Sequence, residues 1–294
     1  MSGRVAILTP DPEDEGFHTR WRDLLERAAA PLRAAGLEVD GASWADLGDL
    51  TAYDLVMPLL VWGYHRAGAA WQDAVTRWEA EGVRLLNPPS VLRWNADKLY
   101  LGTLAARGAP VAPTLYVERC TEEALEEAAR HFASDTLVAK PQVSASAWQT
   151  IRWSSGASLD SGPKGSAMIQ PYLSSIESEG EISLIYLGGR FSHAISKRPQ
   201  PGDFRVQPEY DGIIAAHDPT PDERQSADAV LTAVDEDLLY ARVDLVRDME
   251  GKPALMELEL VEPDLYLAYD DNAPVRFADA VLHSVRRNRA SVRR

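Results

Sequence analysis

Apolar and polar positions follow two textures along this chain. Over the first third, short apolar runs alternate with helical stripes; beyond it, strands separated by turn residues take over. Val5–Thr9 reads as a buried strand that stops at Pro10-Asp11-Pro12. Apolar residues then recur at helical spacing from about Phe17 to Ala35, with Gly36 as the C-terminal cap. Leu37–Ala42 and Tyr53–Leu60 read as strands. Gly68–Glu81 reads as a helix with Trp71, Val75 and Trp78 on one face, and Val83–Leu86 as a fourth strand running into Asn87-Pro88-Pro89. Strand–helix alternation of this kind predicts a parallel sheet covered by helices, an α/β unit over residues 1–90.

After Pro89 the spacing predicts a helix over Ser90–Arg107, a strand at Thr114–Val117, and a helix over Thr121–Phe132. Thr121 is its expected N-cap, with Glu122 and Glu123 in the first turn. Leu137–Lys140 is a strand stopped by Pro141, and a polar, small-residue stretch fills Gln142–Lys164. The remaining runs, Ala167–Pro171, Ile182–Leu187, Phe191–Ile195, Leu238–Val246 and Ala254–Val261, read as a meander with turns at Gly188-Gly189 and Glu250-Gly251.

Composition narrows the class. At 294 residues the chain exceeds one average domain, and 45% hydrophobic with 26% charged residues marks a globular protein. The net charge of −15 supplies no cationic field to displace phosphate counterions, which excludes nucleic acid and anionic membranes as partners. The Arg-rich tail Arg286–Arg294 reads as a solvated helix end. One cysteine, Cys120, fits a reducing cytoplasm and permits no internal disulfide. No run approaches the ~20 apolar residues of a membrane span, and the N-terminus lacks a signal-peptide core. A cytoplasmic location is expected.

The richest segment chemically is Tyr240–Glu262. If Glu250-Gly251 is a two-residue turn, Asp244 faces Glu257 and Arg242 faces Glu259, and all four share one face of the hairpin. Val243, Leu245, Met256, Leu258 and Leu260 then take the apolar face. Carboxylates set this close repel unless a cation compensates, and Mg²⁺ is held by a few carboxylates together with substrate phosphates. A solvated polar face of an edge hairpin remains the alternative at this point. Lys140 ends an apolar strand and precedes a loop of small residues whose backbone N–H groups can approach phosphate. Lys98 lies in the helix after Asn87-Pro88-Pro89. His65, His131 and His193 lack metal-ligand spacing, with His193 the best placed because it shares a strand face with Lys197. Cys120 has no basic neighbour to activate it. Trp148, beside the loop, is a candidate lid residue.

In order and spacing, NPPSVLRWNADK, LVAKP with its loop, MIQPYL, EGEISLIYLGGRFSHAISKRP, DFRVQPEYDG and ARVDLV…MELELVEP resemble the ATP-grasp superfamily over residues 85–280. The nearest branch is that of prokaryotic glutathione synthetase and the ribosomal-protein glutamate ligases, and the chain length and ELELVEP ending are similar to the cyclo-ligases of cycloserine formation. The resemblance implies an ATP-grasp fold with an N-terminal subdomain (1–90), a lid subdomain (91–170) and a C-terminal subdomain (171–294). It implies Lys98 and Lys140 as nucleotide-binding lysines, Gln170, Pro171, Tyr172 and Leu173 as the adenine-reading hinge, and Glu181 on the ribose. Lys197, Arg198 and Arg205 would face phosphates, Arg242 would contact the transferring phosphoryl group, and Asp244, Glu257 and Glu259 would hold the metal.

The cofactors so implied are ATP and one or two Mg²⁺, with Mn²⁺ able to substitute. The activity implied is amide-type C–N bond formation through an acyl phosphate, on an amino-acid-like or peptide-like substrate, in a homodimer or homotetramer. A kinase or a silent nucleotide-binding regulator on the same fold are the alternatives. Three departures stand out: SASA replaces a Gly-rich loop after Lys140, Glu259 stands where asparagine is common, and Tyr210-Asp211-Gly212 replaces Gly-Gly.

Overall fold

The computed structural model describes residues 3–12, 20–46, 48–145, 147–200, 205–206 and 212–292. The expected helix start at Phe17, the loop residue Ser146, the Tyr210-Asp211 substitution and the terminal Arg293-Arg294 lie outside the described residues.

The chain opens with β1 (Arg4–Thr9), α1 (Arg20–Ala34), β2 (Glu38–Ser43), β3 (Leu55–Met57) and α2 (Gly68–Ala80). The strands form a parallel sheet in the order β2-β1-β3. β1 is buried on both faces from Val5 to Thr9, as a strand covered on both sides requires. Gly36 ends α1 as expected: at φ 88° it lets its own N–H reach the Arg33 carbonyl (2.9 Å) and Leu37 N–H reach that of Leu32 (3.1 Å). Trp71 and Trp78 of α2 are fully buried, edge to face with centroids 6.0 Å apart. The expected strand at Val83–Leu86 shrinks to a single bridge between Leu85 and Val56.

The expected helix over 90–107 is broken into α3 (Pro89–Asn95) and α4 (Tyr100–Ala106). Lys98 therefore sits in a turn, its backbone N–H bonded to the Gln142 carbonyl at 2.9 Å. Next come β4 (Leu115–Val117), α5 (Glu122–Phe132), β5 (Thr136–Pro141), β6 (Ile151–Ser154) and β7 (Ala167–Pro171). Their antiparallel sheet has the order β4-β7-β5-β6. Thr121 caps α5 by accepting from Ala124 N–H at 3.2 Å. β6, inside the stretch read as loop, gives β5 an outer partner.

The last part comprises α6 (Ser175–Ser178), β8 (Glu181–Leu187), β9 (Arg190–Arg198), β10 (Ile213–His217), α7 (Pro221–Val234), β11 (Tyr240–Arg247), β12 (Pro253–Glu259) and α8 (Ala273–Val292). The sheet order is β10-β9-β8-β11-β12. One core joins Val5, Ile7 and Leu55 of the first sheet to Ile185 and Ile195 of this one, closed by Phe277 and Val281 of α8. Helix α8 thus packs into the same core as the first strand.

The register of the C-terminal hairpin matters most. Asp244 pairs with Glu257 and Arg242 with Glu259, but the turn differs from the two-residue reading. Asp248 N–H bonds the Lys252 carbonyl at 2.9 Å, leaving a three-residue loop, Met249 to Gly251, with Gly251 at φ 77°. That alone would shift the register by one. A bulge beside Asp244 and Leu245 absorbs the extra residue, Met256, and restores it. Met256 consequently turns toward the acidic face, where the period-two reading had put it on the apolar one.

Candidate active site

A cavity of about 1030 Å³ is lined by residues of both the four-stranded and the five-stranded sheet and by Leu59, Tyr64 and His65 of the N-terminal unit. Both sheets send polar side chains into it. From the first come Lys140 and Gln170; from the second, Glu181, Lys197, Arg242, Asp244, Glu257 and Glu259; from the turn between α3 and α4, Lys98. Pro171, Tyr172, Leu173 and Arg205 also line it. Every sequence-derived site residue is gathered here except Arg198. Lys197 and Arg198 are neighbours on one strand, so only one can point inward: Lys197 is buried and Arg198 is exposed, lining a separate recess of about 210 Å³ with Glu179, His217 and Glu223.

Charge is balanced inside the cavity by pairing. Asp244, 1% exposed, accepts from Arg242 Nε (3.0 and 3.1 Å), Arg242 Nη2 (2.9 Å), Ser183 Oγ (2.5 Å) and Lys197 Nζ (3.4 Å). Lys197 also meets Glu181, and Arg242 meets Glu259. Lys98 Nζ binds Glu257 Oε1 at 2.9 Å and the Ser144 carbonyl at 2.7 Å, which ties the loop after Lys140 to the acidic strand. Lys140 Nζ contacts Met256 Sδ at 3.4 Å, the residue turned inward by the bulge.

These pairs set the protonation states. Burial alone would raise Asp244, but the Arg242 and Lys197 charges outweigh it and lower its carboxyl to about 2. Glu257 is likewise lowered: burial opposes ionisation, and Lys98 and Lys140 prevail. Glu259 goes the other way, held well above the usual carboxylate range by burial and, beyond what Arg242 offsets, by Glu257 and Asp244. Burial lowers the Lys140 ammonium and raises the Glu181 carboxyl.

The carboxylate row suits a hard divalent cation in its chemistry. Glu257 and Glu259 occupy same-face positions on β12, their side chains 29% and 26% exposed, and a cation between them would offset the repulsion that, after burial, raises the Glu259 carboxyl. Among the described residues no three His, Cys, Asp or Glu side chains are already clustered as a metal site. Each carboxylate is instead met by a protein cation, which an incoming metal and its phosphates would have to displace.

Val138, Leu173, Val246 and Met256 add an apolar lining to the cavity. Gln170 lies beside it, 1% exposed, donating from Nε2 to Thr114 Oγ1 at 2.9 Å. Thr114 spends its own proton on the Ala112 carbonyl (2.8 Å), so the amide of Gln170 is fixed in orientation and its Oε1 has no donor among the described residues. That orphan acceptor was invisible in the sequence. His193 is accounted for structurally: Nε2 lies 3.1 Å from the Leu265 and Tyr266 carbonyls, and burial lowers its pKa. Cys120 lies outside the cavity with its thiol raised by burial. Trp148, 42% exposed, meets His65 with ring centroids 5.9 Å apart, so the loop after Lys140 touches the N-terminal unit.

A nucleotide-sized cleft between two antiparallel sheets, with lysines on one wall and a carboxylate row on the other, defines an ATP-grasp ligase. Comparison with known proteins places it more narrowly. The family description "D-cycloserine synthetase DcsG, N-terminal domain" matches residues 5–87. The cycloserine biosynthesis protein DcsG of Streptomyces lavendulae is 31% identical over 270 residues, covering 85% of this chain and 89% of that one. The crystal structure of D-cycloserine synthetase DcsG superposes with a TM-score of 0.82 at 26% identity, over 96% of this chain and all of the other. D-alanine–D-alanine ligase from Bacillus anthracis shares the fold at 15% identity, with a TM-score of 0.68 over 99% of both chains. The chain belongs to the DcsG family of ATP-grasp ligases. It is an ATP-dependent ligase that joins a carboxylate to an amine-type nitrogen; a kinase or a silent regulator is not favoured. No helix among the described residues is long and apolar enough to cross a membrane.

Proposed function

We propose that the chain activates the carboxylate of a small amino-acid-derived substrate with ATP and closes a C–N bond within the same cavity. The observation that carries this reading is the convergence of Lys98, Lys140, Lys197 and Arg242 with Asp244, Glu257 and Glu259 around one space. At about 1030 Å³ that space sits at the upper end of the size of small-molecule sites, suited to a nucleotide with a small second substrate. Likeness to cycloserine synthetase along nearly the whole chain favours an amino-acid derivative over a peptide, and intramolecular ring closure over joining two molecules.

In this reading the adenine ring lies in the apolar slot and its amino group donates to Gln170 Oε1, with the backbone of Pro171 to Leu173 along its edge. Glu181 faces the ribose. Glu257 and Glu259 with Asp244 would hold Mg²⁺, one ion or two and replaceable by Mn²⁺, which would supply charge neutralisation at the phosphates. Lys98 and Lys140 bind phosphate oxygens, giving up Glu257 and Met256 to do so. Lys197, Arg242 and Arg205 face the transferring group. The substrate carboxylate oxygen attacks the γ-phosphorus and ADP leaves; the resulting acyl phosphate then takes an uncharged nitrogen at its carbonyl carbon and expels inorganic phosphate. The protein's part is positioning and electrostatic stabilisation. Residues 142–150 exclude the water that would hydrolyse the acyl phosphate.

The working division is a substrate-binding unit at 1–90, a lid at 91–170 and a metal-bearing unit at 171–294, in a cytoplasmic homodimer or homotetramer. The test is a screen of amino-acid derivatives for ADP and phosphate release, with products weighed by mass spectrometry. Loss of one water from a single substrate supports ring closure. A phosphorylated product, or ADP release that no organic substrate stimulates, overturns the reading.

A further inference from the structure

We propose that Asn95 and Tyr100 are positioning residues that hold Glu257 and Glu259 in register for the metal by standing in for the strand that β12 lacks. This rests on the reading above that these two glutamates bind Mg²⁺ with the nucleotide.

β12 is the last strand of its sheet, so its outer edge presents backbone groups with no neighbouring strand to take them. The segment from residue 87 to residue 112 takes them. Leu255 N–H donates to the Pro110 carbonyl at 2.7 Å, and Ala112 N–H to the Leu255 carbonyl at 2.9 Å. Leu258 N–H donates to Tyr100 Oη at 2.9 Å. Asn95 Nδ2 donates to the Leu258 carbonyl at 2.8 Å while Asn95 Oδ1 accepts from Leu260 N–H at 2.9 Å. Asn87 Nδ2 finishes the row at the Leu260 carbonyl, 2.8 Å.

Asn95 makes the pair of bonds that a peptide group of a neighbouring strand makes to residues two apart. Leu258 and Leu260 flank Glu259, so one side-chain amide fixes both peptide planes on either side of that residue. Tyr100 fixes the plane between Glu257 and Leu258. Glutamate carboxylates reach a metal through three rotatable bonds, and their aim depends on where these planes direct Cα–Cβ. A site held to within about 0.5 Å and 10–20° needs such support.

Core packing accounts for the Tyr100 ring, buried against Trp94, but not for its hydroxyl or for Asn95. Asn95 is 7% exposed and lines the cavity, and an apolar residue there would leave two edge groups unpaired. Between the two in sequence stands Lys98, bonded to Glu257 itself at 2.9 Å. One short segment therefore carries a phosphate-binding charge and steadies the strand that carries the metal ligands.

The experiment is calorimetric titration of the full chain with ADP, with and without Mg²⁺, for the unmodified protein, Asn95→Ala and Tyr100→Phe. In the unmodified protein Mg²⁺ tightens ADP binding. In Asn95→Ala the metal-free affinity stays within about twofold, and the tightening by Mg²⁺ falls roughly 10–100-fold, the cost of losing the support behind a metal ligand. Tyr100→Phe, which removes one oxygen from a buried ring, moves the same quantity in the same direction by a few fold and carries the test if Asn95→Ala does not fold. A purely structural role would lower the melting temperature and leave the Mg²⁺ effect at its original size; that result overturns the proposal while the metal reading stands. An unmodified protein in which Mg²⁺ changes nothing overturns both.

Discussion

Asp244→Asn tests the charge logic of the cavity most directly. Asparagine preserves shape but removes the anion that Arg242 and Lys197 share, leaving two buried cations with Glu181 and Glu259 as their remaining partners. The magnitude follows from the carboxyl itself, which lies at about 2 in the folded chain against the ordinary 3.8. A separation of nearly two pH units, at 1.36 kcal/mol each, corresponds to about 2 kcal/mol of stability. Removing one member of a buried pair adds the penalty of the stranded partners, so the variant should lose about 2–4 kcal/mol. At roughly 2 °C per kcal/mol for a chain of this size, the melting temperature falls by about 5 °C.

The pH dependence has a fixed sign. A carboxyl lowered on folding stabilises the fold fully above 3.8, and the contribution fades as pH falls through about 2. The gap between the two proteins should therefore be constant from about pH 5 to pH 8 in calorimetric melts and narrow only in acid. A gap near zero at pH 7, or one that already closes at pH 6, refutes the assignment of Asp244 as the ionised hub of the network.

Further outcomes follow from other positions. Lys140→Ala and Glu257→Gln keep the fold, read by circular dichroism, and reduce ADP release by more than about 100-fold, since each removes charge stabilisation at the transferring group. Gln170→Leu removes the unpartnered acceptor in the apolar slot; ADP affinity by calorimetry drops about tenfold, the equivalent of one good hydrogen bond, and preference over GDP narrows. Arg198→Ala leaves kcat and KM within about twofold in the same ADP-release assay, because that side chain points away from the cavity.

Much of the site was legible in the chain, for reasons that differ from residue to residue. The acidic hairpin was read correctly at Arg242, Asp244, Glu257 and Glu259, although the turn was one residue longer than the reading assumed. The bulge at Met256 cancelled the difference. Lys197 and Arg198 could not both face the cavity, as period-two alternation along one strand already required. α7 was missed although Thr220-Pro221-Asp222-Glu223 carries a complete capping box with proline at the first helical position. The break between α3 and α4 had a fainter signal in Asn95 and Asp97: Asp97 Oδ1 accepts from Leu99 N–H at 2.9 Å, and the Lys98 N–H bonds the loop at Gln142.

By itself the sequence determined what depends on neighbours close along the chain. It set the parallel first sheet, the Gly36 and Thr121 caps, the strand that carries Lys140, and the side of a hairpin on which carboxylates lie. Those follow from side-chain period and backbone preference. Only the tertiary structure decided which partners those groups meet across more than a hundred residues. Lys98 meets Glu257, Asn95 caps the edge of β12, α8 joins the core beneath the first sheet, and the buried acceptor of Gln170 is left without a donor among the described residues. Pairing at such range depends on how three sheets pack and which backbone groups remain unpaired when they do, and no local pattern encodes that.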